Sequence, residues 1–410
     1  MTIAATLDLQ EASRRTWDAA VVGAGPSGAM AARELARRGQ DVLLIDRAAF
    51  PRWKVCGCCL NGHALATLRE VGLGPMMARS GAVPLRGIRL AAAGRVAEIS
   101  LSGGVSLSRE AFDAALLRSA IEIGAAFLPQ TWAALVKGSE TSEVHWLELR
   151  QGPIREHVAA RVVLAADGLG GKLVARAGGD EERAAPGARI GAGVVAATAP
   201  DFYAPGLIFM ACGRDGYLGL VRLEDGRLNL AAALDPGWVR LCGGPGPAAE
   251  ALLAEVGWPA VPSLAELSWR GTAALTRQPR HHAGERLFLI GDAAGYIEPF
   301  TGEGMAWALA AGRAVVPVAA RSVQRWQPGL AREWDAIYHR LIAPRQFVCR
   351  AVAAVLRSPW LTRSVIRLLA LAPGLARPMT RHLGCAANLE PGRRNPDPIS
   401  IPPMQTTNTV

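Results

Sequence analysis

The chain has 410 residues, of which half are apolar and a fifth are charged. At about 150 residues per domain this length predicts two or three domains, and the apolar content excludes a wholly disordered or low-complexity chain. The net charge is +10, but the basic residues are dispersed along the chain, so we expect no nucleic-acid partner.

The sequence also limits where the protein works. No apolar run is long enough to predict a membrane-spanning helix, and residues 1–16 lack the apolar segment of a secretory signal. The chain has seven cysteines, three of which are crowded at Cys56, Cys58 and Cys59. This pattern fits a reducing cytoplasm better than a disulfide framework, so we expect a cytoplasmic protein.

The first predicted elements are a strand, a glycine turn and a helix. The apolar strand Ala19–Val22 runs into Gly23-x-Gly25-x-x-Gly28. These glycines permit a tight turn, close approach of the backbone to a pyrophosphate and close packing of the helix on the strand. Asp46 ends the next strand, where a carboxylate binds ribose hydroxyls and repels a 2′-phosphate. The pattern predicts a dinucleotide site for FAD or NAD rather than NADP.

Two further strands end in acidic motifs. The segment VVLAADG ends at Asp167 and Gly168, and LFLIGD ends at Gly291 and Asp292. Asp292 can hydrogen-bond a ribityl or ribose hydroxyl. In the following EPFTGEG segment, Gly302 and Gly304 can present backbone N–H groups at a helix start to negative charge developing on a flavin.

In this order, GAGPSG, AADG and LIGDAAG resemble the three flavin motifs of the FAD-dependent oxidoreductases with the para-hydroxybenzoate-hydroxylase-like fold. The resemblance covers about residues 17–320 and implies FAD as the cofactor. It implies that the glycine loop binds the pyrophosphate, that Asp46 binds the adenosine ribose and that Asp292 holds the ribityl chain. It places Arg109, from SREAFD, near the pyrophosphate and ribityl chain. The sequence has no second GxGxxG, as in that family, which disfavours a plain NAD dehydrogenase.

We therefore predict an α/β fold with a discontinuous Rossmann-like FAD-binding domain, an antiparallel-sheet substrate domain and a C-terminal helical segment. The predicted units are a flexible leader (1–16), the FAD-binding domain (17–80, 105–185 and 278–325), the substrate-binding sheet domain (81–104 and 186–277), the helical segment (326–388) and a disordered tail (389–410). The residues assigned to the cofactor are Gly23, Gly25, Pro26, Ser27, Gly28, Asp46, Arg47, Lys54, Arg109, Asp167, Gly168, Gly291, Asp292, Gly302, Glu303 and Gly304.

A finer resemblance lies in PRWKVCGCCLNGHAL and EPFTGEGMAWAL, which are similar to the PRxKxCGG and PxTGEG segments of the geranylgeranyl-reductase-like branch. That branch saturates isoprenoid C=C bonds, and its cysteine matching Cys56 lies near flavin and substrate. Because the sequence departs from these segments at two places, the resemblance does not identify the substrate. Cys58 replaces the second glycine of CGG, and the aromatic segment GYxWxFP is only partly present around Tyr217. Flavin-dependent halogenases share GDAAG, but their WxWxIP segment is absent, which disfavours halogenation.

Several single residues are candidates for the chemistry. Cys56 is the catalytic candidate, as a proton donor or substrate-positioning thiol. The alternatives are a redox pair with Cys59 at CxxC spacing and simple packing in a tight loop. Lys54 can neutralise a flavin or substrate anion, or be a surface charge. We assign substrate contact to Tyr217, Met210, Pro299 and Phe300, and we expect no metal site because no second ligand pair has standard spacing.

The leading functional hypothesis is FAD-dependent reduction of a C=C bond in a hydrophobic isoprenoid-, lipid- or polyketide-like substrate. The electron donor would be NAD(P)H or a low-potential donor such as a ferredoxin-like protein. The rival is an NAD(P)H-dependent monooxygenase that hydroxylates a phenolic or polyketide-like ring through a flavin C4a-hydroperoxide. A non-catalytic flavoprotein is the third alternative.

The segment 347–383 is apolar and interrupted by arginines. Such a basic amphipathic region is typical of a protein in peripheral contact with the inner face of a membrane, or of helices that line a hydrophobic tunnel. The alternative is that these helices close the substrate domain with their arginines outward.

Overall fold

The structure is a computed structural model that describes residues 2–136, 143–171, 173, 183–279, 281–298, 300, 302–377 and 380. Its strands are β1 (Thr16–Val22), β2 (Val42–Ile45), β3 (Cys59–Leu60), β4 (Val83–Pro84), β5 (Gly87–Ala92), β6 (Arg95–Ser100), β7 (Val105–Ser106), β8 (Ala126–Leu128), β9 (Trp132–Leu135), β10 (His145–Gln151), β11 (Ile154–Ala165), β12 (Arg183–Ala184), β13 (Ile190–Ala196), β14 (Leu207–Cys212), β15 (Gly216–Arg222), β16 (Leu228–Leu234), β17 (Arg270–Ala274), β18 (Arg277–Gln278), β19 (Ala283–Gly284) and β20 (Leu287–Leu289).

Its helices are α1 (Leu9–Ser13), α2 (Pro26–Ala36), α3 (Gly62–Glu70), α4 (Met76–Arg79), α5 (Arg109–Glu122), α6 (Pro236–Leu241), α7 (Pro245–Val256), α8 (Gly304–Ala314), α9 (Val316–Gln324), α10 (Pro328–Leu356) and α11 (Pro359–Leu371), with short 3-10 helices at Gly291–Ala294 and Pro373–Ala376. Within the described residues, no helix is both long and apolar enough to cross a membrane.

The first sheet has the strand order β19-β20-β11-β1-β2-β8, and β10 and β9 extend it from β11. Strands β8, β2, β1, β11 and β20 are parallel to their neighbours within this group. In register, Ala20 of β1 pairs with Val163 of β11 and Leu43 of β2. The paired segments 19–22, 42–45 and 162–165 are apolar and buried because a parallel sheet is covered on both faces.

The parallel arrangement gathers the predicted motifs at one edge. The glycine loop follows β1, Asp46 follows β2, Asp167 follows β11 and Asp292 follows β20. The carboxyl ends of parallel strands lie together, and open α/β sheets bind their ligands at this edge. The predicted α/β fold with a Rossmann-like unit is confirmed.

The second sheet has the order β17-β13-β16-β15-β14-β5-β6 and is antiparallel except where β14 runs parallel to β5. Alternate side chains point to opposite faces. Phe209 and Ala211 of β14 lie in a core cluster with residues of α7, whereas Met210 and Cys212 belong to a cluster on the other face. The face with Met210 is the one that borders the site.

Residues from the C-terminal helices cover that same face. Ile366 and Leu369 of α11 and Leu356 of α10 are buried in one cluster with Met210 and Tyr217. The small sheet β3-β7-β4 lies beside the cysteine segment, where Cys59 pairs with Ser106. The site is thus enclosed by the edge of one sheet, the face of the other and a helical cover.

The predicted flexible leader differs from the structure. Asp8 caps α1 and exchanges side-chain and backbone hydrogen bonds with Glu11. Leu9 and Ala12 are buried, and Ile3 donates its N–H to the carbonyl of Phe50. Burial of these apolar side chains orders the segment. The prediction missed this burial because polar residues surround them in the sequence. The predicted tail, 389–410, lies outside the described residues.

Candidate active site

The glycines of the loop between β1 and α2 fall into two groups: at some positions a side chain would collide with the protein, and at one position it would not. A Cβ on Gly23, which has a φ of +109°, would lie 2.2 Å from the Ala166 carbonyl oxygen, and one on Gly28 would lie 1.8 Å from the Gly23 oxygen. A Cβ on Gly25 would meet only an Arg52 nitrogen at 3.6 Å. The protein's own packing therefore does not require a glycine at position 25. An open backbone before an uncapped helix N-terminus fits a bound pyrophosphate.

Asp46 secures this loop from the end of β2. Its carboxylate accepts hydrogen bonds from the N–H groups of Ala24 and Ala48, both at 2.8 Å. Each carboxylate oxygen has a further lone pair for a ribose hydroxyl. Arg47 beside it is exposed, and its guanidinium lies 5.5 Å from the centre of the Trp132 ring.

A buried charge cluster lies beside the loop. Arg109, at the start of α5, donates two hydrogen bonds to Asp113 at 2.8 and 2.6 Å. Arg52 approaches the same carboxylate at 3.5 Å and that of Asp46 at 3.9 Å. Burial alone would lower the pKa of Arg109, but Asp113 and Cys56 more than offset it, and the pKa rises. The guanidinium groups of Arg52 and Arg109 share the single carboxylate of Asp113. Positive charge of these two side chains therefore remains available to bind a pyrophosphate.

Asp292 follows β20 and faces Lys54 across the groove, with 3.7 Å between the ammonium and a carboxylate oxygen. Burial lowers the pKa of Lys54, and Arg109 and Arg52 lower it further, while Asp292 opposes the shift. The side chain of Asp292 is 25% exposed, so it remains accessible to a ligand hydroxyl. This pair lies at the predicted ribityl position.

The N-terminus of α8 closes this end of the groove. No side chain caps it, and Gly302 and Gly304 line the cavity. Glu303, which was predicted as a cofactor residue, has partners within the protein. Its buried carboxylate accepts hydrogen bonds from Asn61 and Trp307, both at 2.8 Å, so it anchors the helix start to the cysteine segment.

Five other predicted cofactor residues, Asp167, Ser27, Gly291, Gly168 and Pro26, are placed by local packing. The Asp167 carboxylate accepts the Leu173 N–H at 3.0 Å, and a Cβ on Gly171 would collide with it, so this side chain folds over its own turn. Ser27 packs against Gly291, where a Cβ would lie 2.3 Å from its oxygen. Gly168, with a φ of +80°, lies beside Lys54, and Pro26 occupies the first turn of α2.

The cysteine segment forms one wall of the site. The Cys58 N–H donates to Cys56 Sγ at 3.4 Å, and Asn229 of β16 donates to the Cys56 carbonyl at 2.9 Å. The hydrogen bond from Cys58 and the charge of Arg109 lower the pKa of Cys56 to about 6 against the effect of burial. Cys59 points its thiol at the Gly57 carbonyl, 3.1 Å away, so the predicted Cys56–Cys59 pair is not the pair that the structure brings together.

These walls border an open cavity with a volume of about 220 Å³. Lys54, Cys56 and Asp292 line its polar end. The remainder is mostly apolar and is lined by Leu90, Ile99, Ile208, Met210, Tyr217, Leu275 and Phe300. Tyr217 and Phe300 meet edge to face with ring centres 5.0 Å apart. Three predicted substrate residues thus face one cavity, and the fourth, Pro299, lies outside the described residues.

Sequence reasoning missed several side chains that shape the site. Asp113 lies one helical turn after Arg109, a spacing that predicts an ion pair. Asn229 and the buried pair of Arg189 with Glu298 at 3.0 Å join segments distant in sequence, and no local pattern marks them.

The donor set fits FAD on the chain's own geometry. The loop supplies an open pyrophosphate cradle at Gly25, Asp46 a ribose acceptor, Arg52 and Arg109 positive charge, and Asp292 a ribityl partner. An uncapped helix start at Gly304 faces the polar end of the cavity, where the flavin ring would lie.

Comparison with protein families supports this reading. Residues 16–213 match the family described as FAD binding domain. A menaquinone reductase of Mycobacterium tuberculosis (strain H37Rv) is 37% identical over 166 residues, 38% of this chain and 40% of the relative. The match thus spans well under half of that relative. The digeranylgeranylglycerophospholipid reductase 2 of Methanopyrus kandleri is 29% identical over 322 residues, 75% of this chain and 78% of the relative.

Solved structures show the same fold. A geranylgeranyl bacteriochlorophyll reductase-like protein from Thermoplasma acidophilum has a TM-score of 0.72 and 20% identity, over 90% of this chain and 98% of that one. The flavin-dependent brominase Bmp2 has a TM-score of 0.74 and 16% identity, over 91% of this chain and 95% of that one. At these identities the likeness concerns the fold alone.

Proposed function

We propose that the chain binds FAD and reduces a C=C bond in a hydrophobic, isoprenoid- or lipid-like substrate, since residues 16–213 match a family described as FAD binding domain and the donor set of the site fits that cofactor. The relatives that match part of the chain include a menaquinone reductase, a digeranylgeranylglycerophospholipid reductase and a geranylgeranyl diphosphate reductase. The substrate class that we propose for this chain is taken from the names of these relatives.

The cavity is the observation that carries the proposal. Its polar end holds Lys54, Cys56 and Asp292, and its apolar part follows the face of the second sheet below α11. Ligand pockets of this kind bury most of a small ligand's surface against apolar side chains. A long hydrocarbon substrate can lie along the apolar part with its double bond at the polar end.

When bound, FAD supplies a hydride equivalent to one carbon of the double bond. The chain's residues do the rest. Lys54 places a positive charge next to Asp292 at the polar end, and the N–H groups before α8 face developing negative charge. The apolar walls exclude water from the reacting carbon.

The second carbon needs a proton, and we assign its delivery to Cys56. A group with a pKa of about 6 can take up and release a proton near neutral pH, which is what a general acid requires. Two phenols in the same cavity, Tyr217 and Tyr296, have a pKa raised mainly by burial and stay protonated. They are the alternative donors if Cys56 only positions the substrate.

The monooxygenase alternative conflicts with one feature of the cavity. Oxygen activation generates peroxide, and an accessible thiolate is the side chain that peroxide oxidises most readily. The low pKa of Cys56 puts such a thiolate in the cavity wall. The site is better suited to chemistry without oxygen.

A turnover assay with and without oxygen separates the two functions. The holoprotein is incubated with NADPH, NADH or a reduced ferredoxin and with polyprenyl or phenolic substrates, and products are analysed by mass spectrometry. We expect a product two hydrogens heavier under strict anaerobiosis. A product one oxygen heavier, formed only in air, would identify a monooxygenase.

We also propose that α11 contacts an anionic membrane surface. Leu361, Val365 and Leu368 share one exposed stripe, and Trp360 and Leu371 beside it are 72% and 77% exposed. Residues 336–389 include arginines but no Asp or Glu. An exposed apolar stripe with basic neighbours is typical of interfacial helices. Because the opposite face of α11 packs in one cluster with the sheet face that borders the cavity, a lipid-like substrate would have a short path from membrane to site.

Vesicle flotation tests this contact. The wild type should float with vesicles of phosphatidylglycerol and phosphatidylcholine and less with phosphatidylcholine alone. Trp360→Ser with Leu371→Ser should abolish flotation, whereas Trp146→Ser with Ile154→Ser, exposed on the first sheet, should not. Equal flotation of both double variants would contradict a role for α11.

A further inference from the structure

We propose that Cys56 and Cys58 form a reversible disulfide in the cavity wall by thiol–disulfide exchange with a small-molecule disulfide. The chain would thereby carry a redox modification site at the polar end of its own substrate cavity. The chemistry of the pair stands apart from the proposed function. Only its effect on turnover rests on C=C reduction at this site.

The loop places these two cysteines in contact. The backbone N–H of Cys58 donates to Cys56 Sγ at 3.4 Å, so the first sulfur lies against the residue that carries the second, and each thiol shifts the pKa of the other. Both cysteines line the cavity, which is open at its mouth, so a small disulfide has a path to them.

The backbone explains the contact. Cys58 has a φ of +54°, in the left-handed region that favours glycine. The angle φ sets the direction of Cβ relative to the preceding peptide, so this conformation fixes where the Cys58 side chain leaves the loop. A residue with a side chain in this region is held there against its local conformational preference. Such an outlier within a site suggests a function for the side chain.

The two sulfurs have complementary reactivities. Cys56 has a lowered pKa and is the nucleophile near neutral pH, whereas the pKa of Cys58 is raised well above its usual value, first by its hydrogen bond to Cys56 and then by burial. Capture of Cys56 in a mixed disulfide removes the negative charge that helps to keep Cys58 protonated. The second thiol therefore becomes easier to ionise after the first has reacted.

The exchange balances in two steps. The Cys56 thiolate attacks one sulfur of the small disulfide, forms a mixed disulfide and expels one small thiolate. Cys58 then loses its proton and attacks the Cys56 sulfur, and the second small thiol leaves. Two electrons pass from the protein dithiol to the small disulfide, which becomes two thiols, and excess small thiol reverses both steps.

The third cysteine is excluded by its contacts. Cys59 Sγ lies 3.1 Å from the Gly57 carbonyl, and burial together with the charge of Cys56 raises its pKa. It is thus both turned away and unreactive, which makes it the matched control. Oxidation of the Cys56–Cys58 pair would remove the proposed proton donor and stop turnover.

The test uses the full-length holoprotein in glutathione buffers of increasing oxidised fraction. Samples are quenched with an alkylating agent and analysed by intact mass and by peptide mapping. We expect two cysteines to lose alkylation together, a peptide with a Cys56–Cys58 bond, and full reversal by reduced glutathione. Cys59→Ser should behave like the wild type.

Cys58→Gly suits the left-handed backbone and should fold and retain flavin. In this variant Cys56 should stop at the mixed disulfide with glutathione, detected by its mass. A Cys56–Cys59 bond, or Cys56 that stays glutathionylated in the wild type, would overturn the proposal. So would full alkylation at every ratio. These readouts need no turnover, so a failure of C=C reduction leaves them interpretable.

Discussion

Two carboxylates, Asp113 and Asp292, each hold a basic side chain at the edge of the cofactor groove. Asp113 is fully buried and binds Arg109, whereas Asp292 is partly exposed and faces Lys54. The first arrangement fixes positive charge in the protein. The second leaves an acceptor open to a ligand, so the two acids should respond differently to substitution.

Asp292→Ala should lower FAD affinity roughly tenfold or more, because a hydrogen bond to a charged acceptor is lost. The fold should persist, since this carboxylate is not buried. Flavin content after purification and FAD titration of the apoprotein measure the effect. Asp41→Ala, at an exposed carboxylate, is the control. Unchanged flavin binding by Asp292→Ala would remove Asp292 from the cofactor site.

The pKa of Cys56, about 6, predicts a pH dependence for proton delivery. The thiol is protonated below this value and ionised above it, so the rate should be highest at low pH and about a hundredfold lower by pH 8. The pH profile of anaerobic turnover measures this. Cys56→Ser should show a slow, flat profile. A wild-type rate that does not change between pH 6 and 8 would move the proton donor to a phenol or water.

At this scale the sequence predicted the backbone roles better than the side-chain roles. Gly23 and Gly28 occupy the tight positions that their spacing indicated, because tight turns and close packing are local properties of the chain, and the pyrophosphate contact of Gly25 stays a prediction. The assignment of Asp167 and Glu303 to the cofactor stays a prediction. Their carboxylates are satisfied by Leu173 and by Asn61 and Trp307, and no motif shows where a flanking side chain turns.

Between elements, the Arg189–Glu298 pair joins the loop after β20 to the start of β13. Both side chains are buried, and Arg189 also approaches the Leu356 carbonyl at the end of α10 at 3.4 Å. One arginine thus connects the loop, the second sheet and the helical cover. Residues more than 100 positions apart form this contact, which explains why the sequence alone did not reveal it.

Removing one partner of the Arg189–Glu298 pair should lower the stability of the fold. Glu298→Leu leaves a buried guanidinium without its carboxylate and should lower the free energy of unfolding by about 3 to 5 kcal/mol. Chemical denaturation measures this. Asp41→Leu, which breaks an exposed pair with Arg15, should have little effect. The double variant Arg189→Met with Glu298→Leu should recover most of the loss. If the Glu298→Leu variant is as stable as the Asp41→Leu variant, the Arg189–Glu298 pair does not stabilise the packing of the helical cover.

For the whole molecule, one sheet supplies the cofactor edge and the other supplies the apolar face. The first sheet could be predicted from sequence because its motifs recur at the ends of parallel strands. The order of the second sheet could not, since β14 pairs with β5, more than a hundred residues earlier. The path of the cavity under α11 depends on that pairing and on the helical cover, and so it emerges only in three dimensions.

In the proposed function, the cavity places a double bond of a hydrophobic substrate beside the flavin. The most direct measurement is anaerobic reoxidation of the chemically reduced holoprotein by a polyprenyl substrate, followed by absorbance and product mass. We predict substrate-dependent reoxidation and one equivalent of a product two hydrogens heavier. A flavin that stays reduced with every polyprenyl compound, but is reoxidised by oxygen with hydroxylation of a phenol, would contradict the account.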